Sequence, residues 1–474
     1  MTITRDSNFI GGQWRRAGGT EHFEVTDSAT EEIIGTVTAA TAADADAAVA
    51  AARAAFGQWA ARSPAERAGY LKRAAEELQL RQTEIATLVS REVGMPFGFS
   101  NVIQAGLPVL SFVSMADIAL SFPFEEQVYN SLVVREPIGV VAAITPWNYP
   151  LHQIAAKVAP ALAAGCTVVL KPSEVAPLNA YILAEVFEAI GLPAGVFNLL
   201  TGTGAEVGET LVAHPEVDMV SFTGSTGAGR RIGSVAAQTV KRVALELGGK
   251  SPLIILNGAD ITAAVTAGLS GCFLNSGQTC IALTRMIVPL SKLAEVEAIA
   301  KAGAESITVG GPFDASTQMG PLVSAQQRDR VVGYIEAGIA EGARLVAGGP
   351  TPPDGLDRGY YVRPTVFSGT TPDMGIVREE IFGPVLVIQT YEDEDDAVAL
   401  ANDSIFGLNA AVMAADQERA IAVARRIRAG QVQINDGAFN ICAPFGGYGQ
   451  SGNGREFGRW GLEEFLETKS MQLP

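Results

Sequence analysis

The stretch Val140-Val141-Ala142-Ala143-Ile144-Thr145-Pro146-Trp147-Asn148-Tyr149-Pro150 begins with an apolar run and continues into a turn that is bounded by two prolines. This order predicts a buried strand, a tight loop and the start of a helix. Further apolar runs alternate with helical stretches, in chain order Ile154–Ala164, Thr167–Leu170, Asn179–Ile190, Val196–Leu200 and Met219–Phe222. The spacing is typical of βαβ units, so we expect an α/β fold whose parallel sheet is covered on both faces, as in nucleotide-binding folds.

The remaining sequence predicts helices around this region and a second α/β unit after it. The first hundred residues predict mainly helix after a short strand at Phe9–Trp14. Their helices are predicted at Asp44–Trp59 and, after a capping box at Ser63-Pro64-Ala65-Glu66, at Arg67–Arg81. Val128–Glu136 alternates like a strand and predicts a protruding hairpin. Beyond Cys280, helices are predicted at Ala294–Gly303, Ser324–Gly342 and Asp395–Asn402, and strands at Pro384–Thr390 and Gln431–Ile434.

Composition limits the classes of function. At 474 residues the chain is longer than a single hydrophobic core usually becomes, so two or more domains are expected. The formal net charge of −17 disfavours nucleic acid and anionic membrane surfaces as partners. No uninterrupted apolar run approaches the roughly 20 residues that span a bilayer, and the first residues lack the form of a signal peptide. We therefore expect a cytoplasmic protein without a membrane partner.

The cysteines and histidines do not form a metal-binding pattern. The four cysteines contain no C-x-x-C pair, and the three histidines are far apart in sequence, so no metal site is predicted. A free cysteine is most often a small buried apolar residue, and Cys166 and Cys272 lie in apolar stretches that suit this interpretation. Cys280 differs, because Asn275-Ser276-Gly277-Gln278-Thr279 precedes it and supplies glycine and polar neighbours that could expose the thiol.

Cys280 and Glu246 together suggest a thiol nucleophile and its base. Glu246 lies upstream in Leu245-Glu246-Leu247-Gly248-Gly249-Lys250. A cysteine can form a covalent acyl-enzyme, and a carboxylate that activates water can hydrolyse it. The pair therefore indicates acyl chemistry.

Three segments that follow predicted strands are candidates for binding. The first, Phe222-Thr223-Gly224-Ser225-Thr226-Gly227-Ala228-Gly229, has free backbone N–H groups for a pyrophosphate, although an ordinary strand-to-helix turn has a similar sequence. Lys171-Pro172-Ser173-Glu174 offers a carboxylate and an amine to the ribose of an adenosine, or is a solvated loop. Asn148 could donate a hydrogen bond to a developing oxyanion, or is a turn asparagine.

In their order along the chain, these segments resemble the aldehyde dehydrogenase superfamily. The resemblance covers nearly the whole sequence and depends on seven motifs: Pro146-Trp147-Asn148-Tyr149-Pro150, Lys171-Pro172-Ser173-Glu174, Phe222-Thr223-Gly224-Ser225-Thr226, Leu245-Glu246-Leu247-Gly248-Gly249-Lys250, Gly277-Gln278-Thr279-Cys280, Glu379-Glu380-Ile381-Phe382-Gly383-Pro384 and Pro444-Phe445-Gly446-Gly447-Tyr448. It implies a Rossmann-like cofactor-binding domain, an α/β catalytic domain and a small β-hairpin oligomerisation element.

The resemblance implies oxidation of a small-molecule aldehyde to a carboxylic acid through a thiohemiacetal and a thioester. Cys280 would be the nucleophile and Glu246 the general base for hydrolysis. The Asn148 side chain and the Cys280 backbone N–H would form the oxyanion hole. Lys157 and Glu456 match positions that the family uses for orientation and proton relay.

The implied cofactor is NAD. The carboxylate of Glu174 would repel the 2′-phosphate of NADP, whereas Lys171 leaves some tolerance for it. The resemblance assigns to cofactor binding Ile144, Thr145, Pro146, Trp147, Lys171, Ser173, Glu174, Gly204, Phe222, Thr223, Gly224, Ser225, Leu247, Gly248, Glu380 and Phe382.

The resemblance also implies the division of the chain. Residues 1–118 and 139–248 would form the NAD-binding domain, residues 249–450 the catalytic domain, and residues 119–138 and 451–474 the oligomerisation element of a homodimer or homotetramer.

Departures from the family pattern leave the substrate open. Gln153 and Ala156 stand where some relatives have bulky apolar or aromatic side chains, and Ile281-Ala282-Leu283 replaces a smaller turn. Phe439 and Phe445 remain as apolar lining, which favours medium-length or aromatic aldehydes. Two alternatives remain, a CoA-acylating relative that does not need Glu246 and a non-catalytic protein that retains the fold.

Overall fold

The computed structural model describes residues 2–474, and its amino-terminal quarter combines short strands with helices. The elements up to residue 121 are β1 (Ile3–Arg5), β2 (Ser7–Ile10), β3 (Gln13–Arg16), β4 (His22–Thr26), β5 (Ile33–Thr38), α1 (Ala42–Ala60), α2 (Pro64–Leu80), α3 (Gln82–Val93), α4 (Phe97–Phe99) and α5 (Leu107–Ser121). The two helices predicted here are confirmed as α1 and α2, and the capping box of Ser63 and Glu66 forms with Pro64 in the first turn. The expectation of mainly helix missed β1, β4 and β5, which pair only with one another and are too short to show a period in the sequence.

One helical segment, Phe97–Ser121, is long and apolar enough to cross a membrane by length and composition. It consists of α4, a π-helical turn at Ser100–Gly106 and α5. Half of its most apolar window is buried inside the protein. Its α5 part packs against α2 and α6 (Pro150–Ala164), so one face of the segment belongs to the core.

The middle of the chain has the predicted alternation of strands and helices. Its elements are β6 (Glu125–Val128), β7 (Ser131–Pro137), β8 (Val140–Ile144), α6, β9 (Thr167–Lys171), α7 (Leu178–Ala189), β10 (Phe197–Leu199), α8 (Glu209–Ala213), β11 (Met219–Thr223), α9 (Thr226–Ala236) and β12 (Arg242–Glu246). Every residue of α6 is buried. This position follows from its contacts, because α6 lies among α2, α5, α7 and the sheet.

The last part of the chain contains the second alternating region and the carboxyl-terminal strand. Its elements are β13 (Pro252–Ile255), α10 (Ile261–Phe273), β14 (Arg285–Pro289), α11 (Leu293–Glu305), α12 (Ala325–Ala340), β15 (Arg344–Ala347), β16 (Thr365–Ser368), α13 (Gly375–Arg378), β17 (Val385–Tyr391), α14 (Glu394–Asn402), β18 (Asn409–Met413), α15 (Gln417–Ala424), β19 (Gln431–Ile434), β20 (Gly452–Asn453), α16 (Gly458–Glu463) and β21 (Leu466–Gln472). The predicted helices and strands of this region all form, with bounds that differ by one or two residues.

The first large sheet brings distant motifs to one edge. Its strand order is β20-β12-β11-β8-β9-β10-β2-β3, and the five strands from β12 to β10 are parallel. Because β8 lies between β9 and β11, the strand order reverses there, which is where open α/β sheets bind ligands. In the register of the sheet, Ile144 pairs with Phe222 and Thr223 pairs with Glu246. The segments that follow β8, β11 and β12 therefore lie side by side.

The second large sheet positions the other half of the site. Its order is β15-β16-β17-β14-β13-β18-β19, and β14 is parallel to both of its neighbours, β13 and β17. Cys280 precedes β14, and the Glu380–Phe382 segment precedes β17. Since the amino ends of parallel neighbours meet at one edge of a sheet, these two loops lie together.

A small antiparallel sheet is separate from the two large sheets. The predicted hairpin at Val128–Glu136 is confirmed as β6 and β7, and β21 pairs with β7 from Leu466 to Gln472. All four residues of β6 are exposed at its free edge. The ranges given above for the three domains stay a prediction.

Candidate active site

A cavity of about 460 Å³ lies where the edges of the two large sheets meet. It is lined by many of the predicted site residues, namely Pro146, Trp147, Asn148, Thr223, Gly224, Ser225, Glu246, Leu247, Gly248, Cys280, Glu380 and Phe382. Motifs that lie far apart in the sequence, such as Pro146-Trp147-Asn148 and the Glu380–Phe382 segment, thus line one cavity.

The loop before Cys280 adopts an unusual backbone conformation. Asn275, Ser276 and Gly277 have φ angles of 53°, 56° and 73°, in the left-handed region. A Cβ on Gly277 would lie 2.1 Å from the carbonyl oxygen of Gly383, so only glycine fits there. Consecutive left-handed residues are costly, and they persist where the surrounding structure holds them.

Three polar contacts hold this loop. The Ser276 hydroxyl donates to the Gly320 carbonyl at 2.8 Å, and the Gln278 Oε1 accepts from the Val323 N–H at 2.9 Å. On the other side, the hydroxyl groups of Tyr149 and Thr279 are 2.7 Å apart. The position of Cys280 is therefore fixed from two sides, by the loop before α12 and by the loop after β8.

Asn148 is fixed through both its backbone and its side chain. Its carbonyl oxygen accepts from Gln104 Nε2 at 2.9 Å and from Asn275 Nδ2 at 3.0 Å. Its own Nδ2 donates to the Gln278 carbonyl at 2.9 Å. An amide NH₂ group has two hydrogens, so this bond orients the group and leaves the second hydrogen for a ligand.

Cys280 is half-buried and packs against a small apolar cluster formed by Ala156, Leu408, Phe445 and Phe457. Burial raises the pKa of its thiol far above the ordinary value, and the carboxylates of Glu380, Glu246 and Glu456 raise it further. The resting side chain is therefore a thiol at neutral pH, and a base has to remove its proton before the sulfur can attack.

Glu246 is a buried carboxyl without a protein partner. The residue is 4% exposed, and neither carboxylate oxygen has a hydrogen-bond partner within residues 2–474. Burial raises its pKa well above 4.5, and the charge of Glu456 adds to this effect, whereas Lys157 and Arg455 oppose it. A carboxylate with these properties is a stronger base than an exposed one and has both oxygens available for water.

Lys157 and Glu456 form a buried ion pair next to Glu246. The Lys157 ammonium donates to Glu456 Oε1. The second oxygen, Oε2, has no partner among the described residues. Although neither residue lines the cavity, their charges both act on Glu246.

The opposite part of the cavity has features that suit a dinucleotide. The rings of Trp147 and Phe382 meet edge to face with centroids 5.3 Å apart. Ser225 caps α9 by accepting from the Ala228 N–H at 3.3 Å, and a Cβ on Gly227 would meet no atom within 4 Å. The helix start is thus open to a phosphate group. Glu380 accepts from the Gly249 N–H at 3.0 Å, and burial raises its pKa to about 7.

The other predicted residues lie outside this cavity. The Lys171 ammonium donates to Glu174 at 2.9 Å just beyond β9. Glu174 also lines a second cavity of about 800 Å³ with residues of β4 and β5. The remaining predicted positions are Ile144 and Phe222 near strand ends, Thr145 and Ser173 in the loops after strands, and Gly204 at the start of a π-helical turn. No group of three His, Cys, Asp or Glu side chains within residues 2–474 is arranged to hold a metal ion.

Four lining residues were absent from the predicted site. Gln326, Gln327 and Arg330 come from the first turns of α12, and Gln153 from the first turn of α6. Gln327 Nε2 donates to the Phe382 carbonyl at 2.7 Å, and Arg330 Nη2 donates to the Glu380 carbonyl at 2.7 Å. The only sequence signal for the α12 residues is the i, i+3 spacing of Gln327 and Arg330, which many exposed helices share.

Comparison with known proteins identifies the family. The model of the aldehyde dehydrogenase family matches residues 14–471. The chain is 50% identical to the 3-succinoylsemialdehyde-pyridine dehydrogenase of a Pseudomonas species, over 98% of this chain and 97% of that protein. A solved aldehyde dehydrogenase C from Pseudomonas syringae, a cysteine-to-alanine variant with NAD+ and octanal, is 49% identical with a TM-score of 0.98, over 98% of this chain and 96% of that one.

A second solved structure, an aldehyde dehydrogenase of Mycobacterium tuberculosis with NAD+, is 44% identical with a TM-score of 0.97, over 100% of this chain and 99% of that one. Both the fold predicted from the sequence and the enzyme class, an oxidoreductase that acts on aldehydes, are confirmed by these similarities. The chain belongs to the aldehyde dehydrogenase family.

Proposed function

We propose that this protein oxidises medium-length or aromatic aldehydes to carboxylic acids with NAD, and that water is the acyl acceptor. The observation that carries the proposal is the pair of free carboxylate oxygens on Glu246 in the cavity that also holds Cys280. A CoA-acylating relative does not need this base, so a buried carboxyl kept there favours hydrolysis.

In the first step the Cys280 sulfur bonds to the aldehyde carbon. The thiol gives its proton to water in the cavity, and the carbonyl oxygen becomes an alkoxide. The second amide hydrogen of Asn148 and the backbone N–H of Cys280 donate to this oxygen. Because Asn148 is already oriented by the Gln278 carbonyl, little reorganisation is needed when the charge develops.

The cofactor-binding residues fit NAD. When bound, NAD supplies the acceptor for the hydride. The open amino end of α9 at Ser225 would hold the pyrophosphate, Lys171 and Glu174 the adenosine ribose, and Glu380 with Phe382 the nicotinamide riboside. The free N–H groups at the start of α9 and the exposed Glu174 carboxylate support this assignment. Glu174 also favours NAD over NADP, since a 2′-phosphate there would face a like charge.

Hydrolysis of the thioester completes the reaction. Glu246 takes a proton from water, the water oxygen bonds to the acyl carbon, and the carbon–sulfur bond breaks. The sulfur then regains a proton and the acid leaves. The charges of Lys157 and Glu456 act on the pKa of Glu246, and the pair relays the proton that Glu246 takes from water.

The surroundings of Cys280 support the proposed substrates. Phe439, Phe445 and Phe457 form a set in which each pair of rings meets edge to face, with centroids 5.8 to 6.0 Å apart. Two of these rings pack in the cluster that Cys280 contacts. An apolar chain or an aromatic ring bound there would be removed from water. The relative from P. syringae binds octanal, and the relative at 50% identity is named for a pyridine-bearing semialdehyde.

We further propose a cytoplasmic homodimer or homotetramer. The exposed edge of β6 and the long pairing of β7 with β21 support an oligomer, because an unpaired alternating edge is prone to join another strand. The net charge of −17 supports a location away from anionic surfaces. Sedimentation equilibrium of the purified protein tests the subunit number, and a monomer at micromolar concentration would contradict it.

The activity is tested by NADH formation with a panel of aldehydes, with and without CoA. We expect NADH and free carboxylic acid from apolar aldehydes in the absence of CoA. Dependence of the rate on CoA would establish the acylating alternative, and absence of NADH with every aldehyde would establish the non-catalytic one.

A further inference from the structure

Gln153 is a polar side chain without a protein partner. It lies in the wall of the acyl site, which is the part of the cavity around Cys280. It lies in the first turn of α6, is 6% exposed and lines the cavity with Asn148, Glu246 and Cys280. Its Oε1 has no hydrogen-bond partner within residues 2–474. A buried amide oxygen without a partner costs free energy, and at the wall of a cavity a bound ligand can complete it.

Gln153 lies one helical turn from the apolar cluster that contacts Cys280. Ala156, which follows after three residues on the same helix face, packs with Phe445 and Phe457 in the cluster that contacts Cys280. An acyl group bound to Cys280 would therefore have both the Gln153 amide and this apolar cluster in its surroundings.

His152, next to Gln153 in α6, is a second polar group, and it lies against the aromatic cluster. Its ring stacks on Phe457 with centroids 5.4 Å apart and planes 13° apart, and its Nδ1 has no partner among the described residues. Burial lowers its pKa to about 4, so the imidazole carries no charge at neutral pH. His152 thus extends the aromatic surface without attracting an anion.

The charges around the acyl site disfavour an acidic substrate. Glu246 and Glu456 lie on this side, and the nearby ammonium of Lys157 is paired with Glu456. Arg455 donates to the backbone carbonyls of Gly447 and Gly454. Arg330 also lines the cavity, but it donates to the backbone carbonyls of Glu380 and Ile381. A substrate carboxylate would therefore meet like charge, because each of these cations already has an oxygen partner.

From these contacts we propose that Gln153 determines specificity by hydrogen bonding to a neutral polar group in the acyl part of the substrate. The preferred substrates would carry a hydroxyl, a carbonyl or a ring nitrogen within an apolar or aromatic body, and carboxylated aldehydes would be poor substrates. The Gln153 amide matches these groups, because it offers both an acceptor oxygen and two donor hydrogens. This inference rests on the proposed function, since it concerns the substrate of the same site.

The test compares aldehydes that share the propanal chain and differ only in the ring: phenylpropanal, pyridylpropanal, hydroxyphenylpropanal and carboxyphenylpropanal. For the unchanged enzyme we expect a higher kcat/KM with the pyridyl and hydroxyphenyl compounds than with the phenyl compound, and the lowest value with the carboxylate. In Gln153→Met the preference for the polar rings over phenyl should fall roughly tenfold, the loss expected for one hydrogen bond.

Gln389→Met is the matched control. Gln389 lies on β17, is also buried and also has an Oε1 without a partner, but it does not line the cavity. Substitution of Gln389 should leave unchanged the ratio of kcat/KM for the polar-ring aldehydes to kcat/KM for phenylpropanal. Gln153→Leu serves as a second apolar variant, and because each change removes an unpaired buried amide, both Gln153 variants should keep or raise the Tm.

Two results would overturn the inference. One is an equal loss of kcat/KM with all four aldehydes in Gln153→Met, which would mean that Gln153 acts on the chemistry and not on the substrate. The other is the same preference in the Gln153 variants as in the unchanged enzyme. Calorimetric Kd values for phenylpropanamide and pyridylpropanamide give a readout without turnover, so a failure of the proposed oxidation is distinguished from a failure of recognition by Gln153.

Discussion

Lys157 and Glu456 are 299 residues apart in the chain and form a buried ion pair that joins α6 to the segment before α16. Their side chains are 1% and 8% exposed. The two charges act in opposite directions on Glu246, whose pKa is raised by Glu456 and lowered by Lys157. The pair therefore controls the pH at which the base becomes active.

Glu456→Gln and Lys157→Met should shift the acidic limb of the kcat–pH profile in opposite directions. Glu246 works as a base only when it is deprotonated, so activity is lost as the pH falls through its raised pKa. Removing the charge of Glu456 lowers that pKa and moves the limb to lower pH. Removing the charge of Lys157 raises the pKa and moves the limb to higher pH.

The double variant Lys157→Met/Glu456→Gln provides the control, because it removes both charges. Its limb should lie between those of the single variants. If the acidic limb shifts in the same direction in both single variants, it reflects the titration of a group other than Glu246.

Cys280→Ala should abolish turnover, whereas Glu246→Gln should separate the two halves of the reaction. If Glu246 is essential only for hydrolysis, Glu246→Gln forms a thioester once per site and then stalls. Stopped-flow measurement of NADH should show a burst close to one equivalent per site, followed by a slow steady state. A normal steady-state rate in Glu246→Gln would refute the base assignment.

Asn148→Ala should reduce kcat roughly 100- to 1,000-fold, as expected for an oxyanion donor. Ser276→Ala is a useful comparison, since it removes a contact of the nucleophile loop without touching the substrate. It should lower the Tm more than it lowers kcat. The two variants are compared by steady-state kinetics and thermal unfolding, and an Asn148→Ala enzyme with nearly full kcat would exclude the side chain from the oxyanion hole.

Glu174→Gln should narrow the preference for NAD over NADP, because it removes the like charge that faces the 2′-phosphate. We expect the ratio of kcat/KM values to fall about tenfold, mainly through a lower KM for NADP. Glu188→Gln, on the exposed side of α7, is the control for a change in net charge. If the unchanged enzyme prefers NADP, the role assigned to Glu174 is wrong.

The sequence was most informative where a period and a motif coincide. β8, β9 and β11 are buried runs followed directly by polar motifs, and both their positions and their common edge could be predicted. β1, β4 and β5 could not, because strands of three to six residues that pair only with one another leave no pattern longer than chance. Local periodicity and the order of the motifs therefore predict the first large sheet, but not the small sheet of β1, β4 and β5.

The site was less predictable where side chains bind backbone carbonyls. The side chains of Gln327 and Arg330 donate hydrogen bonds to the carbonyls of Phe382 and Glu380. No local sequence pattern predicts such contacts. In the sequence, Gln153 differs from the family pattern, but nothing there indicates an unpaired amide. That property depends on the fold, which places Gln153 in the wall of the cavity that contains Cys280.

The contact between Gln278 and Val323 has a consequence for hydrogen exchange. The Val323 amide hydrogen lies outside any helix or strand, yet it is buried against a side chain 45 residues away. Its exchange with deuterated solvent should be slow for as long as the turn before Cys280 keeps its shape. A single peptide containing Val323 can therefore report by mass spectrometry whether the nucleophile is correctly presented, even in variants that no longer turn over.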